Sequence, residues 1–560
     1  MTSAISIGKQ DFASLRENHY FYVDKTDFIR QWWESGDDIT LITRPRRFGK
    51  TLNMSMLNCF FSRQYAEKGT IFEGLSIWKQ EKYRRLQGTY PVIFLSFADV
   101  KQNNYQDAVQ KIKNIIVDAY RQHRYLEQEE CFTQNEKQQM LEITEKMSDV
   151  TAQDALKNLS SYLNLLYGKK VLIFLDEYDT PMQEAYIHGY WDEFVGFMRS
   201  LFNATFKTNP YLERAVMTGI TRISKESVFS DLNNLTVITT TSDAYADCFG
   251  FTEEEVFQSL DQFGMPEKKD LVKQWYDGFC FGTHRDIYNP WSITNYLKEK
   301  KLRPYWAATS SNGLISKLLQ LASVNMKEEL EKLINRQQIV VNFDEQIIFG
   351  QLEQDESAVW SLLVASGYLK VEEIEYRGLT LEPWYSLSIT NLETVSMFSN
   401  MFKSWFAAAS ANYNEFIKAM LNGDVKAMNL YMNDIALATF SNFDAGKHAS
   451  ERSQPERFYH GFVLGLLVEV RDLYEVRSNR ESGYGRYDVI LIPRNLDRDA
   501  MILEFKVKET EEKTLQETVQ KALAQIEIKK YDAELKERGI PKERIRHYGF
   551  AFEGKKVLIG

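Results

Sequence analysis

The run ITLITRPRRFGKTLNMSML, residues 39–57, limits the possible folds more than any other stretch of this chain. A short apolar segment, Ile39 to Thr43, enters a basic loop and leaves it through Gly49, Lys50 and Thr51 into a stretch of helical character. A strand that hands the chain directly to a helix N-terminus belongs to a parallel α/β sheet, because the helix must return across one face of that sheet. The loop is then left at the carboxyl edge of the strands, where such sheets place their ligands. Backbone N–H groups of Arg47, Phe48, Gly49, Lys50, Thr51 and Leu52 would converge there on an anion. Lys50 would reach the outer phosphates and the Thr51 hydroxyl would ligate Mg2+. The full phosphate-loop pattern opens on a glycine, and Arg44 occupies that position instead. Taken alone, the run leaves a plain basic turn as the alternative.

The run KKVLIFLDEYD supplies the complementary half. Its apolar residues end in Asp176 and Glu177, which puts two acids at the same carboxyl edge. Asp176 would hold the magnesium through water and Glu177 would polarise an attacking water; an acidic loop after a core strand is the alternative. With a GKT element upstream, the pair points to a nucleoside triphosphate, and ATP is expected because no NKxD-like guanine reader is present. A further strand ends in TGITRISKESVFSDLNNL, placing Thr218 and Arg222 at the edge again. Arg222 is expected to sense the γ-phosphate, the competing role being to cap an acid such as Asp179.

At 560 residues the chain exceeds a single hydrophobic core. Strands are expected at 39–43, 91–97, 171–175, 215–220 and 236–240. A helix from Tyr105 to Tyr120 carries Ala108, Ile112, Ile115, Ile116 and Ala119 on one face. These define a P-loop domain over residues 1–250. Residues 251–442 read as mainly helical and aromatic, with a helix and two-stranded wing over 359–389. Modules of that shape bind DNA in some proteins and only pack in others. The polar stretch FDAGKHASERSQPER opens a third region, 443–560. No apolar run is long enough to span a bilayer and the start lacks a signal peptide's pattern, so a cytoplasmic protein without membrane contact is expected. The four cysteines are widely separated and the histidines form no helical pairs, so any metal should be held by oxygen. The net charge of -10 argues against a protein that coats nucleic acid, yet residues 451–560 hold 21 Lys+Arg against 20 Asp+Glu, which leaves room for a local basic groove.

The last region reads helix, strand, strand, helix from Thr514 to Arg538, strand. Asp488 begins the apolar run YDVILIP, while Glu504 and Lys506 share one face of AMILEFKV, since strand side chains alternate. In a hairpin, Asp488 would join them. Two carboxylates and an amine suit Mg2+ coordination and activation of a water for phosphodiester attack, with Lys506 orienting the water. Charges inside an apolar strand need a reason, and a structural ion pair is the competing one. Glu456 on the preceding helix offers a third carboxylate. Gln525 and Tyr531 on the following helix would contact the phosphate or orient Lys506.

FYVDKTDFI, TRPRRFGKT, LIFLDEYDTPM and TGITRISKESVFSDLNN together resemble the bacterial AAA-ATPase-like family. ERFYHG, GRYDVILIP, ILEFKV and ALAQI with the nearby KKY resemble the PD-(D/E)xK nuclease domain that typically follows it. That family's loop likewise lacks the first glycine. Tyr487 stands where the nuclease signature has proline, a position that is not a ligand. The resemblance implies an α/β protein: a P-loop ATPase with a parallel sheet, a helical and winged-helix-like middle, and a restriction-endonuclease-like domain. It also implies ATP and Mg2+ as cofactors, nucleic acid as partner with DNA before RNA, and a setting in phage defence or mobile DNA. Two functions follow: a nuclease licensed by nucleotide state, or a nucleotide switch whose C-terminal fold binds without cutting. A DNA translocase is disfavoured by the lack of helicase motifs, and self-association is left open.

Overall fold

The computed structural model describes residues 3–222, 229, 232–309, 313–345, 352, 355–405, 410–443, 453–482, 485–509 and 511–560, excluding the side chains of 308, 313, 324, 410, 440–443, 453–458, 460, 467, 479–482 and 485–487. It divides into two compact units, Met1–Ser310 with Val340–Thr394, and Ser311–Ile339 with Val395–Gly560.

The first unit is built on strands β1 (Ile39–Thr43), β2 (Val92–Ser96), β3 (Val171–Asp176), β4 (Leu212–Gly219) and β5 (Leu235–Ile238), all parallel in the order β2-β3-β4-β1-β5. Every residue of β1 and β3 is buried, as expected of central strands covered on both faces. Each fully buried Ile or Leu there contributes roughly 1.5–3 kcal/mol. The register aligns Thr43 with Gly219 and Ser96 with Asp176, so the strand ends form one edge. The helix Lys50–Phe61 packs Met54, Leu57, Phe60 and Phe61 into a core with Trp32 and Phe174. The helix expected from Tyr105 runs to Gln122, with Asn104 capping it through the amide of Asp107. The VDKT segment is structural: Asp24 accepts from the Thr26 and Ser76 amides, and Lys25 pairs with Glu255 at 2.6 Å.

The same unit carries β6 (Phe251–Thr252), β7 (Phe279–Phe281) and β8 (His284–Tyr288) in the order β6-β8-β7. A second small sheet joins β9 (Ile339–Asn342), β10 (Leu369–Arg377) and β11 (Glu382–Ile389) in the order β10-β11-β9. The helix Glu356–Ala365 followed by the β10–β11 hairpin is the wing-like module.

The second unit holds β12 (Tyr474–Ser482), β13 (Gly485–Pro493), β14 (Ala500–Val507), β15 (Ile545–Glu553) and β16 (Lys556–Ile559), in that spatial order. Only β14 and β15 are parallel. Two strands here were not expected from the sequence. β12, YEVRSNRES, is too polar to read as a strand, and β16 is a short edge. The expected long helix after β14 is two, Leu515–Lys529 and Ala533–Glu537, broken at Lys530, which adopts a left-handed conformation with φ 53°. The edge strand β16 is closed by side chains. Asn429 and Asn433, one turn apart on the helix Val425–Phe443, each donate to and accept from the backbone of Ile559 and Val557 at 2.8–3.0 Å. Among the described residues, no helix is long and apolar enough to cross a membrane.

Candidate nucleotide and metal sites

The loop after β1 is a turn that only particular backbones can make. Gly49 has φ 81° with open space where a Cβ would stand, so glycine serves the backbone conformation there. Arg47 is also left-handed, φ 67°, and its guanidinium lies 4.3 Å over the Trp291 ring. Phe48 is buried, its ring 4.7 Å from Phe279 and 5.4 Å from Phe281. Leu52 packs against the core, so Phe48 and Leu52 have only backbone amides to offer a ligand. Lys50 is buried and donates to the carbonyls of Arg44 and Pro45, both at 2.9 Å. Burial pushes its pKa down, while Glu177, Asp179 and Asp176 pull it back up.

Asp176 is fully buried at the end of β3 and accepts from two hydroxyls, Thr218 at 2.5 Å and Thr51 at 2.7 Å. Burial raises its pKa and the two hydroxyls oppose the rise. Thr51 and Asp176 thus form the hard-oxygen pair that fits Mg2+. Glu177 has φ 52°, an unusual conformation for a non-glycine residue, and accepts from the Thr180 hydroxyl at 3.1 Å. Gly219 is required at the end of β4, because a Cβ there would stand 2.6 Å from the Tyr178 ring and 2.7 Å from Asp179 Oδ1. Asp179 accepts from the Ile220 and Thr221 amides, the Thr221 hydroxyl and Gln183. Its described partners do not include Arg222, whose Nε is buried and has no hydrogen-bond partner among the described residues. Most of the segment following Arg222 lies outside the described residues. Thr218, noted in the sequence only as a polar residue at the edge, turns out to hold Asp176. Its role follows from strand register, which a single strand cannot reveal.

In the second unit, the hydrogen-bonded register of β13 and β14 runs from Val489↔Leu503 to Leu491↔Met501, and the site lies just beyond it. Asp488 Oδ2 accepts from the Phe505 amide at 2.7 Å, and the Asp488 carbonyl accepts from the Tyr459 hydroxyl at 2.9 Å. Glu504 is 2 % exposed and its Oε2 has no hydrogen-bond partner among the described residues. Burial, with the Asp488 charge beside it, pushes the Glu504 pKa up to about 8, and Lys506 opposes the shift. Gln525 bridges the pair: its Oε1 accepts from Lys506 Nζ at 2.7 Å, while its Nε2 donates to Glu504 Oε1 and to the Tyr531 hydroxyl, the latter at 3.1 Å. Phe505 points to the opposite face and packs on Tyr459, centroids 4.5 Å apart. Glu456 falls in the helix Ser453–Glu469, with its side chain outside the described residues. A buried carboxylate oxygen with no donor, next to a second carboxylate, fits a divalent cation: the missing partner is a positive charge, and the donors are all oxygen.

A parallel sheet bearing a phosphate loop, followed by a mixed sheet with a carboxylate and lysine cluster, defines a P-loop ATPase-like and restriction-endonuclease-like class of protein. Residues 6–229 match the family described as predicted AAA-ATPase, and residues 454–560 match the PD-(D/E)XK nuclease superfamily. The chain thus resembles an AAA-ATPase-like domain followed by a PD-(D/E)XK nuclease superfamily domain. It is also similar to an "Uncharacterized protein in vnfD 5'region" of Azotobacter chroococcum mcd 1, 24% identical over 550 residues that cover 96% of this chain and 94% of that protein.

Proposed function

We propose that this protein binds and hydrolyses ATP with its N-terminal domain and uses the nucleotide state to control metal-dependent cleavage of nucleic acid by its C-terminal domain. The observation that carries the nuclease reading is the unpartnered, buried Glu504 Oε2 held among Asp488, Lys506 and Gln525. A binding-only domain gains nothing from keeping that costly oxygen without a partner.

In the ATPase half, Lys50 has to exchange its loop carbonyls for phosphate oxygens. Thr51 and Asp176 would hold Mg2+, Glu177 would polarise the attacking water, and Arg222, whose buried Nε has no partner among the described residues, would meet the γ-phosphate. In the nuclease half, Asp488 and Glu504 would hold Mg2+, which when bound supplies charge neutralisation and a more acidic water. Lys506, fixed by Gln525, orients that water and offsets the charge that develops on the phosphate. Tyr531 holds Gln525 in turn.

The test is incubation of the protein with plasmid DNA, linear DNA and RNA in Mg2+ or Mn2+, with and without ATP, beside Glu504→Ala and Lys50→Ala. Cutting that disappears in Glu504→Ala supports the nuclease. ATP hydrolysis that disappears in Lys50→Ala, with no cutting of any substrate, favours a nucleotide switch whose C-terminal domain only binds.

A further inference from the structure

Arg44 replaces the glycine that opens the usual phosphate loop, and its side chain is completely buried. Its guanidinium donates to three backbone carbonyls, Thr43 at 3.0 Å, Thr239 at 2.6 Å and Ala244 at 3.2 Å. It lies 4.4 Å over the Phe281 ring and 5.9 Å from Phe249, and its Nε has no hydrogen-bond partner among the described residues. Among the described residues, no carboxylate lies within ion-pair distance of it. Burial pulls its pKa down to about 9, opposed by Cys248. The three acceptors are neutral carbonyls, so these bonds satisfy N–H donors without supplying a counter-ion, and a buried charge without one is costly. The residue also belongs to the wall of the loop: its amide donates to the Gly219 carbonyl at 3.1 Å, and its own carbonyl accepts from Lys50 Nζ.

We propose that Arg44 is a positioning residue whose buried guanidinium is a fixed positive charge, and that its counter-ion is the phosphate chain of the bound nucleotide. The inference rests on the ATP-binding reading and deepens it. A glycine-rich loop attracts phosphates with backbone N–H groups, and here a buried cation adds a field from behind the loop. Such a field acts on every added phosphate charge, so it favours triphosphate over diphosphate over monophosphate.

Isothermal titration with ATP, ADP and AMP on the wild type, Arg44→Gln and Arg44→Lys tests this. Arg44→Gln should weaken ATP about tenfold or more, ADP less, and AMP by no more than about twofold. An equal loss for all three, or none, overturns the proposal. If Arg44→Gln does not fold, Arg44→Lys decides. A buried lysine amine loses its proton near neutrality, so ATP affinity relative to AMP should fall from about pH 6 to about pH 8 in this variant more than in the wild type. Lys50, lowered by burial, is present in both chains, and the Cys248 thiol, raised by burial, stays protonated throughout. A lysine variant with the wild-type pH profile overturns the proposal. Failure of the wild type to bind any nucleotide defeats the ATP reading itself, whereas binding with a flat charge series defeats only the role of Arg44.

Discussion

Glu504 sets function against stability within one side chain. Its buried carboxyl is raised to about 8 and keeps an oxygen without a donor, so the fold would be better served by a neutral group. Glu504→Gln should therefore melt at or above the wild-type Tm while lowering the initial cleavage rate by about 10²-fold or more, checked by calorimetry beside a plasmid-nicking assay. A lower Tm would mean that the carboxylate is structural. Glu393 offers a cleaner pH experiment. Fully buried, it accepts from the Ser292 hydroxyl at 2.8 Å and the Trp306 amide at 2.5 Å, and burial raises it from 4.5 to about 7. The folded chain holds that proton more tightly than the unfolded chain. The stabilisation is therefore complete below about pH 4.5 and disappears as the pH rises through about 7. Between pH values on either side of that window, Glu393→Gln should remove on the order of 1–3 kcal/mol of pH-dependent stability, read by urea unfolding. An unchanged pH profile would contradict the assignment. At this scale, Gly49, Lys50, Thr51, Asp176, Asp488, Glu504 and Lys506 were legible because rare residue types stand at fixed offsets in apolar runs. Thr218 and Tyr459 were not, since threonine and tyrosine are common and their contacts with the Asp176 side chain and the Asp488 carbonyl are set by register and packing.

The elements show where sequence pattern stops carrying information. Central strands β1 and β3 stand out as apolar runs, and Ile39 to Thr43 is recovered residue for residue. β12 stayed hidden because its pairing with β13 tolerates a charged sequence. The edge β16 depends on an amide ladder from a helix more than a hundred residues away in the sequence. Truncating both amides in Asn429→Ala/Asn433→Ala leaves backbone donors and acceptors on Val557 and Ile559 unmatched. That should cost roughly 2–4 kcal/mol by chemical denaturation, and a loss below about 1 kcal/mol would show that water replaces the ladder. The β10–β11 hairpin has the shape of a DNA-binding wing, but its exposed cation Arg377 is paired with Glu375 at 2.6 Å. Glu373, Glu375 and Glu382 are exposed along it, and Leu379 and Leu381 are exposed at its tip. Phosphates are repelled by such a surface, so replacing residues 376–381 with a tight turn should change nucleic-acid affinity by less than about twofold in a gel-shift titration. A tenfold loss would put the wing in the interface.

On the scale of the whole molecule, one chain carries two candidate sites whose oxygen ligands fit a divalent cation, one on a parallel sheet and one on a mixed sheet. The order of motifs announced both domains. It could not announce that residues 311–339 return to the second unit, where Glu331 accepts from the Ser478 amide at 3.0 Å, because that contact joins segments 147 positions apart. The claim that ties the halves together is that nucleotide state governs cutting. Its direct measurement is the rate of cleavage of one nucleic-acid substrate in Mg2+ as ATP is titrated, in the wild type and in Glu177→Gln, which should bind ATP and hydrolyse it about 10²-fold more slowly. If nucleotide state governs cutting, the wild-type rate changes with ATP and the Glu177→Gln rate stays locked at its ATP-saturated value at low ATP. Equal rates at every ATP concentration in both proteins, with cleavage still abolished by Glu504→Ala, would contradict it and leave two independent activities on one chain.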